Sequence, residues 1–225
     1  MNHLDIVVPT RNRSAKLLRM LRSIPIDARF SIVLVCDGET ITQQVLQNLL
    51  PNRPFMRIIR TAKQQGSAYC RNLAIKDCED GVLYATDDIV FDPGSIAYIM
   101  ESFNKRYPDN DGVVGFTQRK SKFHPTGVAL VGKKFVQRYP FKQLFFPGYF
   151  HFCCQEVHEL AVKLDRFYLD PKATLFHYYP SSHEADQTHF EARKYKAEDF
   201  KLRRRRKKLG IIWGDKNGTN KNGMV

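Results

Sequence analysis

The sequence predicts an α/β domain with a mostly parallel central sheet flanked by helices. Short apolar runs alternate with amphipathic stretches through about residue 116, and this alternation implies right-handed crossovers between parallel strands. Three of the runs end in polar residues: DIVVPTRNR at 5–13, VLVCDGE at 33–39 and YATDDIVF at 84–91. Because ligands of such sheets bind at the carboxyl ends of the strands, these polar residues predict a site there.

Each element follows from local pattern. Strands are predicted at Ile6–Val8, Ile32–Val35, Met56–Ile59, Val82–Ala85 and Val113–Phe116, and then at Gly127–Val131, Phe167–Leu169 and Ala173–His177. Apolar residues at helical spacing, together with caps and breakers, predict helices at Ser14–Ser23, Ile41–Leu50, Ser67–Ile75, Pro93–Arg106, Lys133–Arg138, Gln155–Arg166 and Gln187–Leu209.

The charge is uneven along the chain. Of the net charge of +13, residues 1–180 carry 24 − 17 = +7 and residues 181–225 carry 12 − 6 = +6. We therefore expect one domain over residues 1–180, and a basic C-terminal helix with a flexible tail over residues 181–225. The run Arg203–Lys208 attracts polyanions, so a polyanionic or membrane-associated partner is expected through this tail.

Composition also suggests a compartment. The five cysteines are odd in number and form no C-x-x-C pair, which favours free thiols over a disulfide framework. No apolar run reaches the roughly 18–20 residues of a membrane span, and the N-terminal residues lack a signal-peptide pattern. The expectation is a cytoplasmic protein, peripheral at a membrane surface if the basic tail binds lipid.

Polar residues at the predicted strand ends are the candidate site. Thr10, Asp37, Asp87 and Asp88 should converge, although Asp37-Gly38 alone reads as an ordinary turn. The adjacent carboxylates Asp87 and Asp88 repel each other unless a cation shares their charge, and a hard divalent metal on a diphosphate would supply it.

Two helix starts add candidate phosphate-binding groups. Pro9 and Thr10 end the first strand, and Asn12 and Arg13 open the next helix, whose N–H groups suit a diphosphate. Gly66 is small where a later helix begins, so a ligand or another backbone can approach it, and Arg71 lies one turn further on. An ordinary capped helix is the alternative interpretation of the second start.

Four motifs in this order resemble the inverting glycosyltransferases of family 2, which have the GT-A fold. The family's P-T-x-N-R, V-D-D-G-S, G-x-A-x-x-R-N and D-x-D segments correspond here to residues 9–13, 35–39, 66–72 and 86–88. The resemblance covers about residues 3–180. It implies metal-dependent transfer of a sugar from a nucleoside diphosphate, with UDP as the first expectation, to a hydroxyl of a glycan or glycolipid.

The resemblance also implies residue roles. Cys36 and Thr86 stand where the family has acids. The remaining acids are then expected to contact the nucleotide base (Asp37), the ribose (Asp87) and Mn²⁺ or Mg²⁺ (Asp88). His177, after the last strand, matches a final metal ligand of many members. A family acid at the start of a helix is the general base; Glu156 matches it, and Glu159 is the second choice.

Other functions compete with this interpretation. A sugar nucleotidyltransferase would carry a Gly-rich loop after the first strand, and residues 9–13 contain no glycine. A purely nucleic-acid-binding protein would not place acids at the strand ends, where they repel phosphate. Glycosylation of hydroxylated bases in DNA stays open as the alternative acceptor class.

Overall fold

The fold is described by a computed structural model, which covers residues 1–38, 55–119, 124–151, 154–178 and 186–215. The predicted helix Ile41–Leu50 and the predicted domain boundary at residue 180 lie outside these residues. Within them, no helix is both long and apolar enough to cross a membrane.

One sheet of eight strands forms the centre of the molecule. In spatial order the strands run β3-β2-β1-β4-β7-β6-β8-β5. The pairs β1–β2, β2–β3, β1–β4 and β6–β8 are parallel, and the other three are antiparallel. The bounds are Leu4–Thr10 (β1), Phe30–Cys36 (β2), Met56–Arg60 (β3), Gly81–Tyr84 (β4), Ile89–Phe91 (β5), Val113–Arg119 (β6), Ala129–Gly132 (β7) and Phe167–His177 (β8).

Helices cover both faces of this sheet. They are Ser14–Arg22 (α1), Ser67–Ile75 (α2), Ser95–Arg106 (α3), Lys133–Val136 (α4), Cys154–Lys163 (α5) and Gln187–Lys208 (α6), with a short 3₁₀ turn at Pro140–Lys142. Alternate residues of β1 show the two layers: Ile6 and Val8 join the core beneath α1 and α3, and Val7 joins the core beneath α2 and α5. Burial on both faces explains why the central strands are continuously apolar.

Two strand predictions need correction. The sequence pattern does not predict Ile89–Phe91 as a strand, because three residues are too few to show a period. The predicted strands Phe167–Leu169 and Ala173–His177 are a single strand, β8. Its register against β6 jumps from Asp170 to Thr174. This irregularity contains Pro171, which has no backbone N–H to donate to a neighbouring strand.

The C-terminal segment is packed on the sheet domain. Tyr195 of α6 stacks on Phe150 with ring centroids 3.7 Å apart. Beyond the helix, the Trp213 indole N–H donates to the Gln143 carbonyl at 2.6 Å, and Asp215 pairs with Lys163 at 2.7 Å. Over residues 187–215, both α6 and the turn after it therefore hold partners on the sheet domain.

Candidate active site

Three parallel strands deliver the predicted polar residues to one edge. Strand β1 lies between β2 and β4, so Thr10 ends beside the residues that follow both neighbours. The Thr10 hydroxyl donates to Asp87 at 2.8 Å. Antiparallel pairing of β5 with β8 sets Ile89 opposite His177, which brings that histidine next to Asp88. The topology thus assembles residues that are far apart in the chain.

The Asp pair is buried and shares one guanidinium. Asp87 and Asp88 are 2% and 5% exposed. Nη1 of Arg13 lies 3.0 Å from Asp87 and 3.5 Å from Asp88. Burial raises the pKa of Asp87 to about 6, with Arg13 opposing the rise and Asp88 adding to it. The Arg13 guanidinium therefore offsets part of the repulsion between the two carboxylates.

Two histidines contact Asp88. Nε2 of His177 is 3.1 Å from one carboxylate oxygen, and Nε2 of His189 is 3.5 Å from the other. The Thr86 hydroxyl also donates to Asp88 at 2.7 Å. Burial would raise the pKa of Asp88, but hydrogen bonds from both histidines outweigh burial and hold it well below its ordinary value.

The donor types at this point suit a divalent metal. Among the described residues there is no ready-made set of three or more His, Cys, Asp or Glu side chains around one ion position. However, a carboxylate oxygen and an imidazole nitrogen are ligands of Mn²⁺, and their 3.1 Å separation matches the spacing of adjacent ligands, about 3 Å in an octahedral shell. Asp88 and His177 therefore offer two of the ligand types that such an ion would need.

Asp37 binds the chain just before α2. Its carboxylate accepts hydrogen bonds from the backbone N–H groups of Gln65 at 2.6 Å and Gly66 at 3.0 Å, and from the Thr61 hydroxyl at 3.3 Å. The space beside Gly66 is filled by protein, since a Cβ there would lie 2.4 Å from the Phe150 carbonyl oxygen. Of the two reasons considered for a glycine here, close approach of another backbone is the one observed.

The basic residues divide between the site and the scaffold. Arg71 is 7% exposed and donates to the Ala85 carbonyl at 2.9 Å, which fixes the end of β4. Arg11, which the sequence places at the helix start without a role of its own, donates to the carbonyls of Asp37 and Gly38 at 2.8 and 3.2 Å. Arg11 therefore joins the ends of β1 and β2 at the site edge. Pro9 pairs in register with Val35, and Asn12 adopts a left-handed φ of 53° at the turn into α1.

The predicted base Glu156 is held by the C-terminal segment. It is 2% exposed and accepts two hydrogen bonds from Arg206, at 2.8 and 2.9 Å. The Trp213 backbone N–H and the Tyr149 hydroxyl each donate to it at 2.5 Å. Burial raises the pKa of Glu156, yet the Arg206 and Tyr149 hydrogen bonds leave it below the ordinary value of 4.5. A carboxylate with four donors has little capacity to take a substrate proton.

The second choice, Glu159, is also engaged by α6. Its carboxylate accepts a hydrogen bond from Arg203, which is 7% exposed. The basic run Arg203–Lys208 is therefore not a uniformly solvated helix end. Arg203 and Arg206 face the domain, one turn apart, and the other four residues are exposed. Nothing in the sequence signalled this division except the three-residue spacing of the two arginines.

His189 is the main site residue that sequence reasoning missed. It lies in the first turn of α6, beyond the segment in which the motifs were found. The only sequence signal is Asp186 three residues earlier, a helix-start pattern, and the structure shows that Asp186 caps the helix through the His189 N–H at 3.0 Å.

Solved structures with the same fold support the topology. TarS 1–349 of S. aureus in complex with UDP superposes with a TM-score of 0.63 at 15% identity, over 77% of this chain and 60% of that one. GalNAc-T7 with UDP, GalNAc and Mn²⁺ gives a TM-score of 0.67 at 12% identity, over 80% and 44%. This chain therefore spans at most 60% of the length of either structure, and at these identities the likeness shows the fold.

Sequence comparison gives the family. No curated protein matches the chain significantly. The profile described as Glycosyl transferase family 2 matches residues 5–156, which include the ends of β1, β2 and β4 and the first turn of α5. Because that match covers more than half of the chain, the protein belongs to glycosyl transferase family 2.

Proposed function

We propose that this protein transfers a sugar from a UDP-sugar to a hydroxyl of an anionic acceptor, with the help of Mn²⁺ or Mg²⁺ and with inversion at the anomeric carbon. The observation that carries the proposal is the cluster of Thr10, Arg13, Asp87, Asp88 and His177 at the carboxyl edge of the sheet, within a chain of this family. UDP is bound by two of the proteins that share the fold, TarS and GalNAc-T7.

The donor's charge determines the roles at this edge. A nucleoside diphosphate brings negative charge to a place already occupied by two buried carboxylates, so cations must neutralise both. Asp88 and His177 would hold the metal, which stabilises the charge that develops on the leaving diphosphate. Arg13, displaced from the carboxylates, would bind phosphate oxygens beside the N-terminus of α1. Asp37 would bind the nucleotide base and Asp87 the ribose. The donor-binding edge of the sheet would also include Pro9, Asn12, Gly66 and Arg71.

The acceptor side is proposed from charge. Eight exposed basic residues lie on α6 against one exposed acid, Glu198: Arg193, Lys194, Lys196, Lys201, Arg204, Arg205, Lys207 and Lys208. The helix starts at the Asp88 cluster and extends roughly 33 Å from it, at about 1.5 Å per residue. An anionic polymer lying along this face would therefore be guided toward the site.

We propose a role for Glu156 and Glu159 that differs from the general base implied by the resemblance. Glu156 would have to release Arg206 and the Trp213 N–H before it could receive a proton. Since breaking a buried ion pair is costly, about 3–5 kcal/mol, we propose that Glu156 and Glu159 anchor α6 to α5.

The test of the donor proposal is metal-dependent UDP binding. Calorimetry with UDP and a panel of UDP-sugars, with Mn²⁺ and with EDTA, should show binding that needs metal. Asp88→Asn should lose this dependence and donor hydrolysis, because it removes the carboxylate that the ion would bind. Asp77→Asn, at a half-exposed carboxylate paired with Arg57, is the matched control and should bind normally. Equal affinity with Mn²⁺ and EDTA in the unmodified protein would refute the metal assignment. Product configuration read by proton NMR tests inversion.

A further inference from the structure

Two residues before α5, which we call the 150–151 segment, lie against the start of α2. The Phe150 carbonyl accepts the backbone N–H of Ala68 at 3.3 Å, and the Ser67 hydroxyl donates to the His151 carbonyl at 3.2 Å. The Phe150 ring also closes the space beside Gly66, where a Cβ would lie 2.7 Å from it. The 150–151 segment therefore forms one wall of the loop that leads into α2.

The middle of α6 holds this segment from the other side. One carboxylate oxygen of Asp199 accepts the backbone N–H of Phe150 at 3.0 Å, and the other accepts that of His151 at 2.6 Å. One turn earlier on the helix, the Tyr195 ring stacks on the Phe150 ring at an interplanar angle of 17°. Helix α6 thus fixes both the backbone and the side chain of the segment.

The position of Asp199 is explained by these contacts and not by the helix. Asp is a weak helix former in a helix interior, and a buried carboxylate is costly unless it is hydrogen-bonded. Asp199 nevertheless lies well inside α6 and is only 4% exposed. It also lies beyond position 156, the last residue that the family profile matches. Its role therefore belongs to this chain and is not carried by the family motifs.

The loop that the 150–151 segment supports is the one that binds Asp37. The backbone N–H groups of Gln65 and Gly66 donate to the Asp37 carboxylate, and Ala68 and Ser67, which follow directly, contact the segment. A continuous set of contacts therefore runs from Asp199, through the segment and the loop, to the carboxylate at the end of β2.

We propose that Asp199 is a positioning residue for the nucleoside half of the donor. The inference rests on the proposed function, in which Asp37 binds the nucleotide base. Asp199 acts through the 150–151 segment, which keeps the loop before α2 in the conformation that orients Asp37. Where that conformation is only partly populated, the apparent affinity for the nucleoside falls by the same fraction. The diphosphate half is bound through a different set of contacts, at Arg13 and Asp88.

Binding of UDP and of inorganic diphosphate separates this role from a general loss of structure. Each is titrated by calorimetry into the full-length protein with Mn²⁺ present. Asp199→Asn places an amide N–H against one of the two backbone donors, so the Kd for UDP should rise about 10-fold while the Kd for inorganic diphosphate stays unchanged. Asp199→Glu, which keeps both carboxylate oxygens, should recover part of the UDP affinity. Glu198→Gln, at the exposed acid one position earlier, is the matched control and should bind both as the unmodified protein does.

A second variant changes the stacking contact and leaves Asp199 in place. Tyr195→Leu removes the ring that lies on Phe150, and it should also weaken UDP binding without affecting diphosphate. An unchanged Kd for UDP in Asp199→Asn, or an equal loss of affinity for UDP and diphosphate, would overturn the role of Asp199 and leave the donor proposal standing. Failure of the unmodified protein to bind UDP would overturn both.

Discussion

Replacing Glu156 by Gln tests whether this residue is the general base of the transfer or anchors α6 to α5. The substitution keeps the size of the side chain and removes its charge, which leaves the Arg206 guanidinium, 11% exposed, without its counter-ion. Removing one partner of a buried ion pair costs about 3–5 kcal/mol. Because the Gln oxygen can still accept one hydrogen bond, we expect a loss of about 3 kcal/mol in the free energy of unfolding. For a chain of this size that corresponds to a fall in Tm of roughly 6–12 °C.

The lowered pKa of Glu156 predicts how the stability difference between the parent protein and Glu156→Gln changes with pH. The folded-state pKa of Glu156 lies below its ordinary value of 4.5, so its ion pair stabilises the fold at pH values above about 4.5. That contribution is lost as the pH falls through the lowered pKa. The difference in unfolding free energy between the parent protein and Glu156→Gln should therefore be full at pH 7 and shrink in the acid range.

Urea unfolding measures the effect with two probes. Far-UV circular dichroism follows the whole domain, and the fluorescence of Trp213, the only tryptophan, follows the turn bound to Glu156. The variant Glu156→Met with Arg206→Met is the control, because replacing both buried charges by apolar groups costs far less than breaking the pair. A Glu156→Gln protein with unchanged stability, in which transfer falls about 10²–10⁴-fold, would refute the anchor and establish the base.

Two further predictions concern the loop before α2 and the outer face of α6. Gly66→Ala should lower the unfolding free energy by at least about 2 kcal/mol, because φ is +89° and the new Cβ would meet the Phe150 carbonyl. The control is Gly210→Ala, where φ is +66° and nothing lies within 4 Å, so that this variant measures the cost of backbone strain alone. Equal losses of unfolding free energy in the two variants would refute the contribution of the Phe150 contact. A second variant replaces the four exposed basic residues of the run, at positions 204, 205, 207 and 208, by Gln. It should bind polyphosphate more weakly and hydrolyse UDP-sugar at an unchanged rate. The slope of log K against log salt concentration should become shallower by about 0.7–0.9 for each lost phosphate contact. The control carries Gln in place of four exposed lysines elsewhere, at positions 63, 76, 105 and 134. Equally weakened polyphosphate binding in both variants would mean that net charge, and not α6, attracts the polyanion. Parallel assays with anionic vesicles and DNA identify the preferred partner.

Local pattern is sufficient to predict the sheet edge of the site. Buried strands read as apolar runs, and a charged residue that follows such a run marks the strand end, so the sequence alone places Asp37, Asp87 and Asp88 at strand ends. Helix α2 begins and ends where its spacing predicts, at Ser67 and Ile75. The family resemblance, drawn from the same strand ends, is confirmed by the profile match.

Long-range partners could not be predicted in the same way. His189 and Asp88 are 101 positions apart, and their contact depends on where α6 packs, which its weak amphipathic pattern does not specify. Glu156 occupies a position at which the family has an acid, but its burial and its pairing with Arg206 are properties of the packed structure. Motif position therefore predicts an acid in the first turn of α5, and the anchoring role proposed for Glu156 rests on its partners.

The three roles of α6 follow from the angular spacing of its residues. Near its start, His189 reaches Asp88; near its end, Arg203 and Arg206 recur on the inner face and bind Glu159 and Glu156. The basic residues between and beside these arginines must then point outward, because a helix repeats about every 3.6 residues. One run of six basic residues thus supplies both the ion pairs that hold the helix in place and the exposed charge proposed to bind the acceptor. Since the inner pairs are buried and the outer residues are solvated, salt should weaken the outer function well before it loosens the helix.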